Sequence, residues 1–299
     1  MRPEIALGDL RLTLAPECGG AIAGFWIDRP SGALALLRPM PPDASDAVQA
    51  GSFTMLPFAN CIRDNRFSFG GRDWQVAPNM PGVRLNFHGS GWRLPWEVAQ
   101  ISAASAVLTL QADDGVWRYA ARQVFTLDED GLTVDVSVTN AGDHAMPFGI
   151  GLHPWFPRHG DGIMQFAAES LWSSTSDGEA VALEPVGPAM DYSDAKAPSH
   201  ESLNTCYTGW PGQARMIWPS EKVALTMIAD ATMGHLMVHI PADDIDTICL
   251  EPQSNAPCGF DGLAAGHCPT GVHILSPKQT LSGRMTIRVS TFPLENLTP

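Results

Sequence analysis

Apolar and polar residues alternate along several stretches of the chain. From Gly131 to Asn140, one leucine and three valines occupy every second position, and short polar residues fill the positions between them. The same period of two recurs over residues 236–240 and 285–289. Because side chains of a strand point alternately to opposite faces, this pattern predicts strands with one buried face. The pattern also predicts strands over residues 10–14, 106–111, 118–127 and 222–228.

Turn signals separate these stretches, and no window of twelve or more residues carries a helical apolar stripe. Asp-Gly and Asn-Ala-Gly sequences follow several predicted strands. The chain is therefore predicted to be all-β. We expect a large antiparallel β-sandwich that forms one domain over residues 1–299 and leaves one concave sheet face for a ligand. Residues 177–202 are rich in Ala, Pro, Ser and Asp, and we expect a long surface loop there.

Composition narrows the class of partner. The chain has 299 residues, and 18 Lys plus Arg against 32 Asp plus Glu give a net charge of −14. Nucleic acids and anionic membrane surfaces favour clustered cations, so neither is an expected partner, and a neutral small molecule is. The first residues lack the apolar core of a secretory signal, and no stretch is long enough to span a membrane. Six scattered Cys without a CxxC pair or a zinc spacing indicate reduced thiols in a cytoplasmic protein without a metal site.

Two ionisable residues occupy positions that suit proton transfer. If residues 149–153 are extended, His153 shares its face with two glycines, which often mark close approach of a ligand or another backbone. If residues 247–251 are extended, Glu251 lies opposite the bulky Ile248 and Leu250. A Pro follows each residue and favours a strand end there. A carboxylate and an imidazole on one open face suit paired acid and base catalysis, and a nearby anion would keep the imidazole protonated.

Each of these residues also has a structural interpretation. His153 at a strand end is compatible with a structural hydrogen bond, and Glu251 before Pro with a surface carboxylate. His88 before Gly89 is compatible with a simple turn. His235 and His239 lie four residues apart on one strand, about 13 Å from each other, so they are not expected to share a metal.

The order of several motifs along the chain is more specific than any one of them. The series begins with PFANCIRDNRFSFG from Pro57, continues with NFHG from Asn86 and GLHPWF from Gly151, and ends with CLEPQ from Cys249. Two glycines near the start and LSPKQTLSGRM from Leu275 extend the likeness over nearly the whole chain. This series resembles the aldose 1-epimerase (galactose mutarotase) family.

The resemblance implies a β-supersandwich with a sugar cleft and an enzyme that interconverts the α and β anomers of free aldoses without metal or organic cofactor. By matching position, Glu251 would be the general base that takes the C1 hydroxyl proton, and His153 the general acid that protonates the ring oxygen. His88 and Asn60 match sugar-binding residues of the family. Gln253 lies close enough to the base to support the site.

Two departures from the family pattern leave the substrate open. The family usually has arginine directly after the asparagine, where this chain has Cys61, and Arg63 is a candidate substitute if the segment is extended. The segment that begins at Leu203 resembles one that carries a sugar-binding aspartate, and here that position holds Asn204. Two alternatives therefore stand beside a mutarotase of free aldoses. They are a non-catalytic sugar-binding or regulatory relative and a hexose-6-phosphate mutarotase.

Overall fold

The computed structural model describes residues 2–198, 202–263 and 270–292. Over these residues the chain forms strands joined by turns, with no α-helix, as the sequence predicts. Single 3-10 turns occur at Ala47–Gln49, Arg63–Asn65 and Gly91–Arg93. None of the described helical segments has the length and apolar character needed to cross a membrane.

The strands are β1 (Glu4–Leu7), β2 (Leu10–Ala15), β3 (Ala21–Ile27), β4 (Leu34–Leu37), β5 (Thr54–Met55), β6 (Arg66–Phe69), β7 (Arg72–Gln75), β8 (Glu97–Ile101), β9 (Ser105–Asp113), β10 (Arg118–Asp128), β11 (Gly131–Asn140), β12 (Met146–Phe148), β13 (Gly151–Leu152), β14 (Trp155–Pro157), β15 (Ile163–Phe166), β16 (Ser170–Ser174), β17 (Ala180–Pro185), β18 (Leu203–Thr208), β19 (Gln213–Trp218), β20 (Val223–Ala229), β21 (His235–Ile240), β22 (Thr247–Gln253), β23 (His273–Leu275) and β24 (Thr280–Thr291).

Two large antiparallel sheets dominate the architecture. One follows the order β15-β19-β20-β24-β11-β10-β9-β8. The other follows β17-β16-β18-β21-β22-β13-β5, with β14 also paired to β22. A four-stranded sheet, β1-β2-β3-β4, and two small ribbons complete the described pairings. The predicted antiparallel all-β fold is confirmed.

Both large sheets contribute side chains to one hydrophobic core. Along β11 every second side chain is buried, as its alternation predicts, and Val134 and Val136 belong to this core. Leu236 of β21 and Leu250 of β22 join it from the other sheet. At Gly283 of β24 an added Cβ would lie 2.8 Å from Ile150 Cδ1, so the glycine permits close approach between the two layers. Burial of these opposed apolar faces is the main stabilising contribution.

Two expectations were wrong, one about a long loop and one about the end of a strand. Residues 177–202 do not form a plain loop, because β17 lies within them as the edge strand beside β16. An edge strand needs only one ladder, so it forms without a buried alternating face. β22 also continues through Pro252 to Gln253, since Pro252 pairs with Leu236 and the ladder tolerates the missing N–H.

Candidate active site

A cleft of about 260 Å³ lies over the sheet that contains β21 and β22. Its size is close to the lower end of the range for small-ligand pockets, about 300–1,000 Å³. Strands β14, β18, β21 and β22, the β13–β14 turn and the segments before β5, β6 and β8 supply its wall. The polar side chains are Asn60, His88, His153, Asn204, His239 and Glu251. The apolar side chains are Val48, Phe53, Met80, Val83, Phe87, Trp92, Trp155 and Met237.

The centre of the cleft is a contact between an imidazole and a carboxyl group. Glu251 lies on β22 opposite Met237, with its side chain on the face away from the core residue Leu250. His153 follows β13, and its backbone N–H donates to the Phe53 carbonyl over 2.9 Å. His153 Nε2 lies 3.2 Å from Glu251 Oε1, and the two side chains are only 6% and 2% exposed. The structure therefore brings both groups to one site, as the alternation of side chains along the two segments predicts.

Aromatic rings hold the His153 imidazole in place. Phe53 stacks at 4.5 Å between ring centroids and 29° between planes, and Trp155 at 5.0 Å and 13°. Protein atoms also explain the two glycines that precede His153. A side chain at Gly149 would collide with Asn255, and one at Gly151 with Met55. The glycines therefore serve close packing of the protein itself, as a strand glycine often does.

Burial controls the charge of the central pair. It raises the pKa of the Glu251 carboxyl well above its usual value. Burial, followed by the nearby His88 and His239 rings, lowers the pKa of His153 well below its usual value. The expectation that a nearby anion keeps His153 protonated was wrong, because desolvation disfavours both the imidazolium and the carboxylate. Desolvation of both groups therefore favours a neutral pair that holds one proton.

His88 has a fixed tautomer. Its backbone has a φ of 62°, and its Nδ1 accepts a hydrogen bond of 3.0 Å from the Asn60 backbone N–H. Because Nδ1 is the acceptor, the proton of the neutral ring is on Nε2, which becomes a donor. Burial lowers the pKa of His88 to about 3, so the ring stays neutral near pH 7. It meets the His153 ring edge-on at 5.4 Å between centroids.

The two asparagines of the cleft differ in their restraint. Asn60 has a φ of 59°, and its Oδ1 accepts from the Cys61 backbone N–H over 3.1 Å, which leaves its amide nitrogen as the donor. Asn204 on β18 is exposed and lies opposite His239 of β21. Both residues reach the cleft, as the motifs predict.

Three other sequence candidates lie outside the cleft lining. Arg63 donates through Nε to Asp261 over 2.7 Å and faces the surface. The segment turns at Arg63–Asn65 instead of staying extended, so Arg63 does not share a face with Cys61. Gln253 is fully buried at the end of β22 and donates to the Asn255 carbonyl over 2.8 Å. Cys61 points into a small apolar cluster with Leu85, Ala180 and Cys258.

The donor set does not fit a metal ion well. Nitrogen and oxygen atoms of His88, His153 and Glu251 lie within 4.8 Å of one another, and two His with one Glu are a known zinc set. However, the Asn60 N–H occupies Nδ1 of His88, so Nε2 carries the proton that a metal would have to displace. The hydrogen bonding of His88 therefore favours donation to a ligand over metal coordination.

Sequence reasoning missed His239 as a cleft residue. The sequence predicts only that His239 does not share a metal with His235. In the structure, His239 lines the cleft, and its ring meets Trp155 edge-on at 6.0 Å between centroids. Burial lowers its pKa. No signal along the sequence places His239 in the cleft, because its position there depends on the pairing of β21 with β22.

Comparisons with known proteins identify the fold and the family. A galactose mutarotase-like protein from Clostridium acetobutylicum superposes with a TM-score of 0.82 at 17% identity, covering 97% of this chain and 95% of that one. The GalM/aldose epimerase homologue of C. elegans gives 0.81 at 16% identity over 98% and 99% of the two chains. At these identities the likeness defines the fold alone, which is galactose mutarotase-like.

The sequence model of the aldose 1-epimerase family matches residues 8–287. The uncharacterized protein YphB of Escherichia coli K12 is 34% identical over 291 residues, 94% of this chain and 96% of YphB. A crystal structure of a candidate aldose 1-epimerase from the same organism has a TM-score of 0.90 at 32% identity, covering 98% of this chain and 99% of its own. The chain belongs to the aldose 1-epimerase family.

Proposed function

We propose that the protein is a mutarotase that interconverts the α and β anomers of a free aldose. The observation that carries the proposal is the buried contact of 3.2 Å between His153 Nε2 and Glu251 Oε1 inside a cleft of monosaccharide size. Ring opening needs one proton removed from the C1 hydroxyl and one delivered to the ring oxygen, and a pair that holds one proton supplies both. Family membership supports the same reaction class.

In the proposed reaction, a bound sugar places its C1 hydroxyl at Glu251 and its ring oxygen at His153. Sugar hydroxyls that enter the cleft supply hydrogen bonds which favour the charged form of the pair, a carboxylate with a protonated imidazole. Glu251 takes the C1 hydroxyl proton, His153 protonates the ring oxygen, and the C1–O5 bond breaks. Rotation about C1–C2 followed by reclosure with reversed proton transfers gives the other anomer.

His88 and the aromatic wall have supporting roles in this proposal. The Nε2–H of neutral His88 donates to a sugar oxygen near the reacting atoms, where it stabilises developing negative charge. Trp155 and Phe53 keep the His153 ring from turning while its proton moves. Both contributions depend on groups that are already placed before the sugar binds.

The cleft favours a neutral sugar over a sugar phosphate. A phosphate dianion is held by Arg or Lys, and the described residues that line the cleft include neither. The nearby Arg38, stacked on Trp155, is paired with Asp244 and donates to the Val48 and Ala50 backbone carbonyls instead. We therefore propose unphosphorylated aldoses as substrates.

Equilibration of freshly dissolved α-glucose, α-galactose and other aldoses, followed by polarimetry or NMR, tests the proposal. We expect acceleration of at least one sugar, and we expect Glu251→Gln to lower kcat by about 100-fold or more while sugar binding stays measurable. Glu184→Gln, an exposed carboxylate on β17, is the matched control and should keep full activity.

Two outcomes would count against the proposal. A chain that binds several aldoses and accelerates none is the sugar-binding or regulatory relative instead. Near-normal kcat in Glu251→Gln would remove Glu251 from the role of base.

A further inference from the structure

Two cysteine sulfurs lie close together directly behind the cleft. Cys61 Sγ and Cys258 Sγ are 4.0 Å apart, and the Cys258 backbone N–H donates to the Cys61 carbonyl over 3.0 Å. Both residues belong to a small apolar cluster that also contains Leu85 and Ala180. Cys61 occupies the position next to the cleft residue Asn60, and no part of the proposed reaction uses either thiol.

The two thiols differ in acidity. The thiol–thiol contact with Cys61, a backbone hydrogen bond with Ala180 and the positive charge of Arg63 lower the pKa of Cys258. The same contact with Cys258, together with burial, raises the pKa of Cys61. Cys258 is 4% exposed and Cys61 is not exposed. Cys258 is therefore the thiol that peroxide reaches more readily and that the Arg63 charge favours as the attacking group, and Cys61 is the resolving thiol.

We propose that Cys61 and Cys258 form a reversible intramolecular disulfide in response to peroxide. The Cys258 thiolate attacks hydrogen peroxide, which breaks the O–O bond and gives a sulfenic acid and hydroxide. The Cys61 sulfur then attacks the sulfenic sulfur, the disulfide forms, and one water leaves. Two thiols are oxidised by two electrons and one peroxide is reduced, so the step balances with peroxide as the only oxidant.

Bond formation would act on the cleft through the backbone. Disulfide sulfurs lie about 2.0 Å apart, so the bond requires the two segments to move together by about 2 Å or their side chains to rotate. The Cys61 backbone N–H donates to Asn60 Oδ1 over 3.1 Å, and the Asn60 backbone N–H donates to His88 Nδ1 over 3.0 Å. A shift at Cys61 is therefore passed to Asn60 and to the His88 ring. This consequence rests on the proposed mutarotase function, whereas the disulfide itself does not.

Mass spectrometry of the full chain before and after hydrogen peroxide tests the disulfide. We expect a loss of about 2 Da, a fall from six free thiols to four in the unfolded chain, and full recovery with dithiothreitol. Chymotryptic peptides locate the bond, because Phe58 separates Cys18 from Cys61, cleavage after Leu250 separates Cys249 from Cys258, and Phe260 separates Cys258 from Cys268. Cys61→Ala and Cys258→Ala should each abolish it. Cys18→Ala, another buried cysteine, is the matched control and should leave it unchanged.

The kinetic consequence is measured on the same samples. We expect oxidation to lower kcat/KM for the best aldose by about tenfold and dithiothreitol to restore it, with no loss in Cys258→Ala. The disulfide proposal is overturned if Cys258 links to Cys268, or if peroxide yields only sulfinic acid or no change. If the disulfide forms and no aldose is a substrate of the reduced chain, the proposed function fails and the disulfide stands.

Discussion

At the scale of single residues, the protonation of one buried pair governs the proposed chemistry. Burial raises the pKa of Glu251 and lowers that of His153, so the state with one proton on the pair is stable over a wide pH range. Adding a proton creates a buried cation and leaves no base. Removing the proton creates a buried anion and leaves no acid.

The pH profile of kcat/KM should therefore have a broad plateau between its acidic and alkaline limbs. The acidic limb should lie below the usual histidine value of 6.5, because burial lowers the pKa of His153. The alkaline limb should lie well above the usual glutamate value of 4.5, because burial raises the pKa of Glu251. Initial mutarotation rates at low sugar concentration report these limits for the free enzyme. An acidic limb at 6.5 would show a solvated imidazole and contradict the buried pair.

His239 offers a second test at the residue scale. It lines the cleft beside Asn204 but does not contact Glu251 or His153 through any described hydrogen bond. We expect His239→Leu to raise KM by about three- to tenfold with a smaller change in kcat, the effect of one lost hydrogen bond away from the reacting atoms. Full kinetics on one aldose measure the two constants separately.

The exposed His144 supplies the control, since His144→Gln removes an imidazole without touching the cleft. An unchanged KM in His239→Leu, or a fall confined to kcat, would show that His239 does not bind the sugar.

At the scale of elements, the segment between β5 and β6 directs two consecutive side chains into different surroundings, one polar and one apolar. Asn60 faces the cleft, and the next residue, Cys61, is fully buried in the cluster with Leu85 and Ala180. The neighbouring strand β17 presents Ala180 to this cluster while Val181 stays 65% exposed at the sheet edge. Among the described residues that line the cleft, no arginine takes the place of the one that the family pattern has after the asparagine.

Restoring that arginine should destabilise this protein. Cys61→Arg would place a long charged side chain among closely packed apolar groups, and we expect a loss of at least about 2 kcal/mol in the free energy of unfolding. Urea unfolding followed by tryptophan fluorescence measures it. Cys61→Ala, which keeps the site apolar, is the matched control. A stable Cys61→Arg variant with tighter aldose binding would show that the arginine reaches the cleft.

At the scale of the whole molecule, two large sheets share one core, and Gly283 marks their close approach. An added Cβ there would lie 2.7 Å from Met233 Cε as well as near Ile150. We expect Gly283→Val to lower the free energy of unfolding by about 1–3 kcal/mol, the cost of overpacking a core. Gly187→Val is the matched control, because no atom lies within 4 Å of an added Cβ at Gly187. Equal stability of the two variants would contradict close packing at Gly283.

Much of the fold was predictable because alternation is a local property. The strands around residues 118–127 and 131–140 have burial patterns that follow their sequence period. The edge strand β17 was not predictable, since its pairing with β16 depends on a neighbour outside the segment. The extent of β22 past Pro252 was missed for the same reason, because β21 holds it in register.

The sequence by itself determined the all-β class, the opposite faces of Glu251 and Leu250, and the motif order that resembles the family. These depend on spacing along one chain. Only the tertiary structure decided that Glu251 and His153 meet at 3.2 Å. It also decided that His239 lines the same cleft and that Arg63 lies outside its lining. The physical reason is that β13, β21 and β22 are brought together by ladders between residues distant in sequence. Burial then sets the pKa of each group, and burial is a property of the packed whole.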